Sequence, residues 1–268
     1  MEKRRKVINN SLGNIKKTNC FISLDDIEKQ IKNKRMDVVY DDSIVVIVDK
    51  RKSFLQIYYF LDEYDIDFIN WEEIKNRLTT YKDIVINVVG KNISEKNIVA
   101  EKLGFSFYKK YVRKQFINKE KKKYRELMDV LIANQKDCEK IYDMLYSSFD
   151  VLSDDLVNKE ELKDMINQNH VLKIEIQNEI QGVFLYEDTG VRSYARAICI
   201  AEKYRNNVLG YSLFAKYNNL HVDSTKIFSL WVDQANDDVL KLHNTFGYVE
   251  DGLENYIYVR EKDDCCEK

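Results

Sequence analysis

The sequence of 268 residues contains no proline and only 8 glycines. Average usage would give roughly a dozen prolines in a chain of this length. Collagen-like, proline-rich and linker-dominated proteins are therefore excluded, and turns must use asparagine, aspartate, serine and the few glycines. Hydrophobic residues make up 44% of the chain and charged residues 33%, which supplies a core and excludes disorder as the dominant state.

The chain also lacks an excess of charge of either sign, because 43 Lys and Arg oppose 45 Asp and Glu. Its net charge therefore favours neither nucleic acid nor a membrane as a partner. The longest apolar stretches, such as 44–48 and 84–89, have the length of strands and are too short to span a membrane. Asparagine and serine follow the basic start at 1–6, where a signal peptide needs apolar residues, so we expect no secretion.

Cysteine and histidine are scarce and widely spaced. The five cysteines form neither a CxxC pair nor an even-numbered disulfide framework, and the three histidines show no HExxH spacing. A metal site is therefore not expected. Reduced thiols are the simplest explanation of the cysteines, so we predict a cytoplasmic protein.

The charged run 118–123 separates two regions with a similar order of elements, which predicts two domains, 1–118 and 119–268. In the first region the residue patterns predict helices at 24–34, 71–78 and 94–103, and strands at 42–49, 54–61, 83–89 and 107–116. In the second they predict helices at 124–131, 139–147, 159–167, 208–218 and 237–245, and strands at 171–177, 182–186, 193–200, 227–232 and 255–260. This mixture predicts an α/β layered architecture.

The two regions share a local pattern. Val88, at the end of a predicted strand, precedes Gly104 by 16 residues, and Val232 precedes Gly247 by 15. Tyr-Val-Arg triplets follow, at 111–113 and 258–260. Chance similarity is the alternative, because strand-helix-glycine units are common, but the agreement of spacing and local features favours a tandem repeat.

The window 198–214 carries the clearest chemical signal. A β-branched strand runs into a short polar loop and then into a helix whose first turn contains a glycine. Such a junction directs backbone N–H groups and the positive end of a helix dipole at one point, which suits a phosphate or pyrophosphate. On these residues alone, an ordinary strand-loop-helix junction is the alternative.

A second window, 236–248, follows the next strand, and the two windows together resemble the GCN5-related N-acetyltransferase (GNAT) superfamily. In that family a strand ending in Val or Ile leads through Tyr-Arg into a Gly-x-Gly helix start that grips acyl-CoA. Val208 departs from the pattern, since it stands where the first glycine is usual. The matching positions in this window are Ile200, Tyr204, Arg205 and Gly210.

The family's later motif is also in register, with His243 where a tyrosine is usual. The positions that match are Asn236, Val239, Leu242, Gly247 and Tyr248. The resemblance covers roughly residues 124–262, and the first region looks like a shorter, degenerate copy.

The resemblance implies a mixed α/β fold of two GNAT-like domains, each a mostly antiparallel sheet flanked by helices. In the C-terminal domain the strands at 193–200 and 227–232 would splay apart, and the pantetheine arm of acyl-CoA would insert between them as a pseudo-strand. Acetyl-CoA or another acyl-CoA would be the co-substrate and an amine, on a small molecule or peptide, the acceptor. The residues expected to hold the cofactor are Cys199, Ile200, Arg205, Asn206, Asn207, Val208, Leu209, Gly210 and Asn236.

The resemblance implies direct attack of the amine on the thioester, without a covalent enzyme intermediate. His243 is the expected proton donor, with packing on its helix face as the alternative. Glu187, Asp188 and Asp233 are the nearest candidates for a general base acting through water, and each could instead be a solvated loop acid. The thiol of Cys199 is expected to be structural.

A non-catalytic function is the alternative to the enzyme. The chain could be a GNAT-like module that binds acyl-CoA or a protein partner. Val208, His243 and the absence of a carboxylate in the strand at 194–200 favour this alternative. The retained register of Tyr204, Arg205, Gly210 and Asn236 favours the enzyme.

Overall fold

The computed structural model describes residues 2–12, 14, 17–41, 43–50, 54–61, 66–205 and 208–260. The chain divides into two compact units. Unit 1 comprises Met1–Lys110 and Leu253–Lys268, and unit 2 comprises Tyr111–Gly252. Each unit combines helices with mostly antiparallel strands, so the predicted mixed α/β fold class is confirmed.

Unit 1 has a sheet whose neighbouring strands are antiparallel except for one parallel pair, β3 and β4. In order across the sheet its strands are β1 (Met36–Tyr40), β2 (Ile44–Asp49), β3 (Leu55–Leu61), β4 (Ile84–Lys91) and the C-terminal part of β11 (Val249–Arg260). Its helices are α1 (Glu2–Ser11), α2 (Leu24–Lys32), α3 (Trp71–Leu78) and α4 (Ile98–Lys102).

The strand β2 explains the layering of unit 1, because it is buried along its whole length. Ile44, Val46 and Val48 join a core that includes residues of α3 and α4. Val45 and Ile47, on the opposite face, join a core with residues of α1 and α2. A strand buried on both faces reads as a continuous apolar run, which is the pattern at 44–48.

Helix starts in unit 1 follow from polar caps in the sequence. The Ser23 hydroxyl accepts a hydrogen bond from the Asp26 N–H at the start of α2. Asn70 and Asn97 cap α3 and α4 in the same way. A cap of this kind contributes about 1 kcal/mol, so these helices begin where the sequence places an N-cap residue.

Within unit 2, neighbouring strands are antiparallel except for the parallel pair β9 and β10. In order its strands are the C-terminal part of β5 (Ser106–Ile117), then β10 (Ile227–Asp233), β9 (Arg192–Ile200), β8 (Glu179–Asp188), β7 (Val171–Ile176) and β6 (Leu131–Ile132). Its helices are α5 (Cys138–Ser148), α6 (Lys159–Asn167), α7 (Val208–His221) and α8 (Asp237–Thr245). One core contains α7 and residues at the end of α8, and another contains α5 and α6.

The long strands β5 and β11 contribute to sheets far from their places in the sequence. In unit 2, residues 111–117 of β5 pair with β10. In unit 1, residues 253–260 of β11 pair with β4. The compact units thus differ from the segments 1–118 and 119–268, and the independent folding of those segments stays a prediction.

The predicted helix at 124–131 is wrong. Tyr124 is held in an irregular segment by Asn219 of α7, which accepts a hydrogen bond from its N–H and donates one to its C=O, both at 2.8 Å. Only 131–132 is regular, as the short strand β6. Tertiary hydrogen bonds have here replaced the local ladder that the apolar spacing suggested.

Among the described residues, no group of three or more His, Cys, Asp or Glu side chains could hold a metal ion. Within the same part of the chain, no helix has both the length and the apolar character needed to cross a bilayer.

We predict opposite effects of alanine at two glycines of unit 2. Gly247 follows α8 with φ of +80°, while a Cβ there would meet Phe116 only at an ordinary 3.7 Å. Because the cost is backbone strain, Gly247→Ala should destabilise the fold by about 1 kcal/mol. Gly210→Ala, within α7, should stabilise it by roughly 0.5–1 kcal/mol, since a Cβ there lies 3.7 Å from Leu242. Urea denaturation of both variants measures the two shifts, and equal shifts would contradict this assignment.

Candidate functional site

The site lies where β9 and β10 of unit 2 part. Their parallel ladder runs from Ile227↔Arg192 to Leu230↔Ala195 and then ends. Beyond it β9 continues through 196–200 and β10 through 231–233. We call the gap between these two segments the wedge of unit 2. It matches the expected splay of the two strands.

A β-bulge at Arg196 explains why the strands part at this point. On its other side β9 pairs with β8, and the register passes from Leu185↔Ala197 to Tyr186↔Ala195. Arg196 is therefore the extra residue, without a partner in the ladder. A bulge bends its strand and increases its twist, and this one lies where the pairing with β10 stops.

The side chain of Arg196 is fixed by acidic groups from β8, α6 and the segment before α6. Its guanidinium pairs with Glu187 on β8, with Glu161 on α6 at 3.4 Å and with Asp155 at 3.4 Å. It also donates a hydrogen bond to the C=O of Asp155 at 3.1 Å. The carboxylate of Glu187, a predicted general base, thus neutralises a largely buried cation, and its role as a base stays a prediction.

The side chains of β9 beyond the bulge alternate between two cores. Ile198 and Ile200 pack against the core that contains α7. Cys199 faces the core of α5 and α6, where its thiol lies 3.7 Å from the C=O of Met144. Burial raises the pKa of the Cys199 thiol, so it stays protonated at neutral pH and is structural, as its sequence context suggests.

The helix α7 begins at Val208, shortly after β9 ends. The first-turn N–H groups of a helix have no partner within the helix, and here they include those of Leu209 and Gly210. Arg205 is exposed, and its Nε lies 3.5 Å from the C=O of Ile200. The structure thus brings the end of β9, Arg205 and the start of α7 together, whereas the predicted Asn206 and Asn207 lie outside the described residues.

The end of β10 carries two further predicted residues in a compact turn. Asp233 accepts a hydrogen bond from the Ala235 N–H at 2.9 Å. Asn236 caps α8, accepting from the Val239 N–H at 3.2 Å. The amide of Asn236 therefore has a structural task, and its contact with a cofactor stays a prediction.

His243 lies on α8 in an aromatic cluster, only 3% exposed. Its ring centroid is 5.2 Å from that of Phe214 and 6.1 Å from that of Tyr248. Burial, with the nearby charge of Lys114, lowers the pKa of His243 to about 3. The ring is uncharged at neutral pH, so a proton would have to come from the neutral imidazole, and this role stays a prediction.

Tyr111 lies near the site but is not among the residues predicted to act in catalysis or to hold the cofactor. It pairs with Asp233 across β5 and β10, and its hydroxyl donates a hydrogen bond to Asp154 at 2.8 Å. Burial and the charge of Asp154 raise the pKa of Tyr111 well above the usual value for tyrosine. The Tyr-Val-Arg repeat singled out this residue, but its strand partner was not visible in the sequence.

Comparison with known proteins gives matches at the level of structure. No protein-family model matches the sequence, and no curated protein sequence matches it. A GCN5-related N-acetyltransferase from Sphaerobacter thermophilus is similar with a TM-score of 0.59 and 11% identity, over 87% of this chain and 85% of that one. One from Kribbella flavida gives a TM-score of 0.54 and 9% identity, over 87% and 92%.

A third solved structure bears on the tandem arrangement. A tandem GNAT protein from the clavulanic acid biosynthesis pathway is similar with a TM-score of 0.52 and 9% identity, over 82% of this chain and 78% of that one. At such identities the likeness concerns the fold. The chain has the GNAT fold in a tandem arrangement, and the resemblance found in the sequence is confirmed at that level.

The low pKa of His243 predicts a pH dependence of stability. The unfolded chain takes up a proton at this residue below about pH 6.5, whereas the folded chain does not until about pH 3. Stability conferred by the neutral ring is therefore lost as pH falls from 6.5 towards 3, by about 2 kcal/mol at pH 5. His243→Phe should remove this loss of stability at low pH. Urea unfolding midpoints of the wild type and the variant, measured between pH 7 and pH 4.5, test this expectation. Parallel curves would show that His243 titrates normally.

Proposed function

We propose that unit 2 is an acyl-CoA-dependent N-acyltransferase, and specifically an N-acetyltransferase. It would transfer the acyl group of acetyl-CoA or a related acyl-CoA to an amine. The observation that carries the proposal is the wedge of unit 2, formed by the bulge at Arg196 and the early end of the β9–β10 ladder. Its fold neighbours, which include N-acetyltransferases, support acyl transfer as the general chemistry.

The wedge suits the pantetheine arm because diverging strands present backbone groups that need hydrogen-bond partners. Residues 197–200 pair with β8 on one side and extend past the last pair with β10 on the other. An arm containing two amides supplies donors and acceptors to such an edge, as an added strand would. Ile198 and Ile200 provide the apolar side chains next to it.

The diphosphate end of the cofactor would lie at the start of α7. The N–H groups of Leu209 and Gly210 and the positive end of the helix favour an anion there. Arg205, whose Nε lies 3.5 Å from the C=O of Ile200, adds a cation that can form charge-assisted hydrogen bonds to phosphate oxygens. The side chain of Val208 is 38% exposed, so it does not occupy the interior of the unit.

In the proposed reaction the amine nitrogen attacks the thioester carbonyl carbon. The C–N bond forms, the carbonyl oxygen becomes an oxyanion held by a β9 N–H near Ile200, and the C–S bond then breaks. The proton lost by the amine goes to a base, and the departing thiolate receives one from an acid. We propose Asp233, at the end of β10, as the base acting through water, ahead of Glu187, and His243 as the acid.

The non-catalytic alternative has specific observations in its favour. Glu187 is engaged with Arg196, and His243 is buried and uncharged. A chain with these features could bind acyl-CoA in the wedge of unit 2 without turning it over. Binding and turnover must therefore be measured separately.

The location proposed for the protein is the cytoplasm. The three described cysteines, Cys20, Cys138 and Cys199, are buried and form no disulfide. Such thiols persist in a reducing compartment.

We predict that Arg205→Ala weakens binding of acetyl-CoA. Loss of one charge-assisted contact to phosphate should raise Kd about tenfold, measured by calorimetry on the full chain. Arg125→Ala is the matched control, because Arg125 is an exposed arginine of the same unit. Equal affinity of wild type and Arg205→Ala would remove Arg205 from the site. No binding by wild type would refute the function itself.

We further predict that Asp233→Asn separates catalysis from binding. The substitution keeps the size of the side chain and an oxygen that can accept from Ala235, but it removes the base. The turnover rate of acetyl-CoA with a panel of amines, measured as release of the free thiol of CoA, should fall about 100-fold. The Kd for acetyl-CoA should stay unchanged. Thiol release at the wild-type rate would exclude Asp233 as the base, and binding without release by wild type would favour the non-catalytic module.

A further inference from the structure

Unit 1 contains a second wedge, built like the one in unit 2. Its parallel strands β3 and β4 pair from Leu55↔Ile84 to Ile57↔Ile86, and there the ladder ends. Beyond it β3 continues through 58–61 and β4 through 87–91. We call this gap the wedge of unit 1. In both units the strands that part are the parallel pair.

The wedge of unit 1 is filled by the chain itself. Thr18 forms an antiparallel bridge with Phe60, and its hydroxyl donates a hydrogen bond to the C=O of Tyr59 at 2.6 Å. The N–H of Leu61 donates to the C=O of Lys17 at 3.0 Å. Residues 17–20, which we call the plug, thus lie beside β3 and are joined to it by these contacts beyond the point where β4 departs.

Asn19 joins both sides of the gap. Its side-chain Nδ2 donates to the C=O of Ile57 on β3 at 2.9 Å and to the C=O of Asn87 on β4 at 3.0 Å. Its Oδ1 accepts from the N–H of Tyr59 at 2.9 Å. One primary amide therefore satisfies three backbone groups at the place where the ladder opens, with two donors and one acceptor.

The plug is part of the core of unit 1. Thr18, Asn19 and Cys20 are 3%, 4% and 1% exposed, and Cys20 packs in the core with Phe60 and Ile27. Removing the plug would expose apolar surface and leave buried backbone groups without partners, which is unfavourable. A flexible ligand that displaced the plug would bind only if its own contacts exceeded the free energy lost with the plug.

We infer that the plug is a built-in substitute for a cofactor arm, which closes the wedge of unit 1 to acyl-CoA and leaves the wedge of unit 2 as the one that binds it. The side-chain amide of Asn19 takes the place that an amide of an inserted arm would have. In unit 2, strand pairing among the described residues provides no corresponding third strand on the β10 side of 196–200. The expected ratio of one acyl-CoA per chain rests on the proposed function, whereas closure of unit 1 does not.

Hydrogen exchange of the full chain without ligand tests the closure directly. The N–H groups of Tyr59 and Leu61, which donate to the plug, should exchange as slowly as those of neighbouring ladder residues. Asn19→Asp keeps the acceptor for Tyr59 but places a carboxylate against two carbonyl oxygens. Exchange at Tyr59 and Leu61 should then accelerate at least tenfold, whereas Asn76→Asp, the same change at an exposed position of α3, should have no effect there. Rapid exchange at both positions in wild type would overturn the inference.

Native mass spectrometry and hydrogen exchange with acetyl-CoA then test the assignment, and both use wild type, so the result does not depend on a variant that folds. We expect one acetyl-CoA per chain and slower exchange at 196–200, with exchange at 58–61 unchanged. Two acetyl-CoA per chain, or slower exchange at 58–61 on binding, would overturn the closure. No binding, with Tyr59 and Leu61 protected, would support the closure and refute the function proposed for unit 2.

Discussion

The structure depends on how each sheet satisfies backbone groups where two parallel strands diverge. An unpaired buried N–H or C=O costs free energy comparable to a lost hydrogen bond. β3 and β4 part after three ladder pairs, and β9 and β10 after four. In each unit, backbone groups beyond the last pair of the parallel ladder therefore need a hydrogen-bond partner from a third segment or a ligand.

The two units differ in how they satisfy the backbone groups at this point, and this difference is consistent with different functions for the two units. In unit 1 the partner is the plug, held by Asn19 and buried with the core. In unit 2 a bulge at Arg196 and three surrounding carboxylates hold the diverging strand in place. Under this interpretation, the plug completes the core of unit 1 and prevents ligand binding there. In unit 2 the edge of β9 beyond the ladder is available for a cofactor.

Local signals made much of this fold predictable. The caps at Ser23 and Asn236, the buried run at 44–48 and the glycines at 104 and 247 specify helix ends and strands through nearby residues alone. The segment at 124–131 was not predictable, because Asn219 is distant in sequence and holds Tyr124 outside a helix.

The site was predictable only in part, for the same reason. The strand-loop-helix junction at 198–214 is local, and so is its resemblance to a cofactor-binding motif. The bulge has no glycine to mark it, and the engagement of Glu187 depends on Arg196 across the β8–β9 pair. The low pKa of His243 results from packing against Phe214 and Tyr248, and the plug joins residues about forty positions apart.

The placement of β11 imposes an order of events on biosynthesis. The sheet of unit 1 is completed by residues 253–260, which leave the ribosome after all of unit 2 has been made. During translation one edge of β4 therefore stays unpaired until residues 253–260 are synthesised. Exposed strand edges can pair with the wrong partner. Residues 111–117, which unit 2 needs, are by contrast available early. Unit 2 can thus close its sheet first, and the nascent chain needs protection at β4 for the longest time.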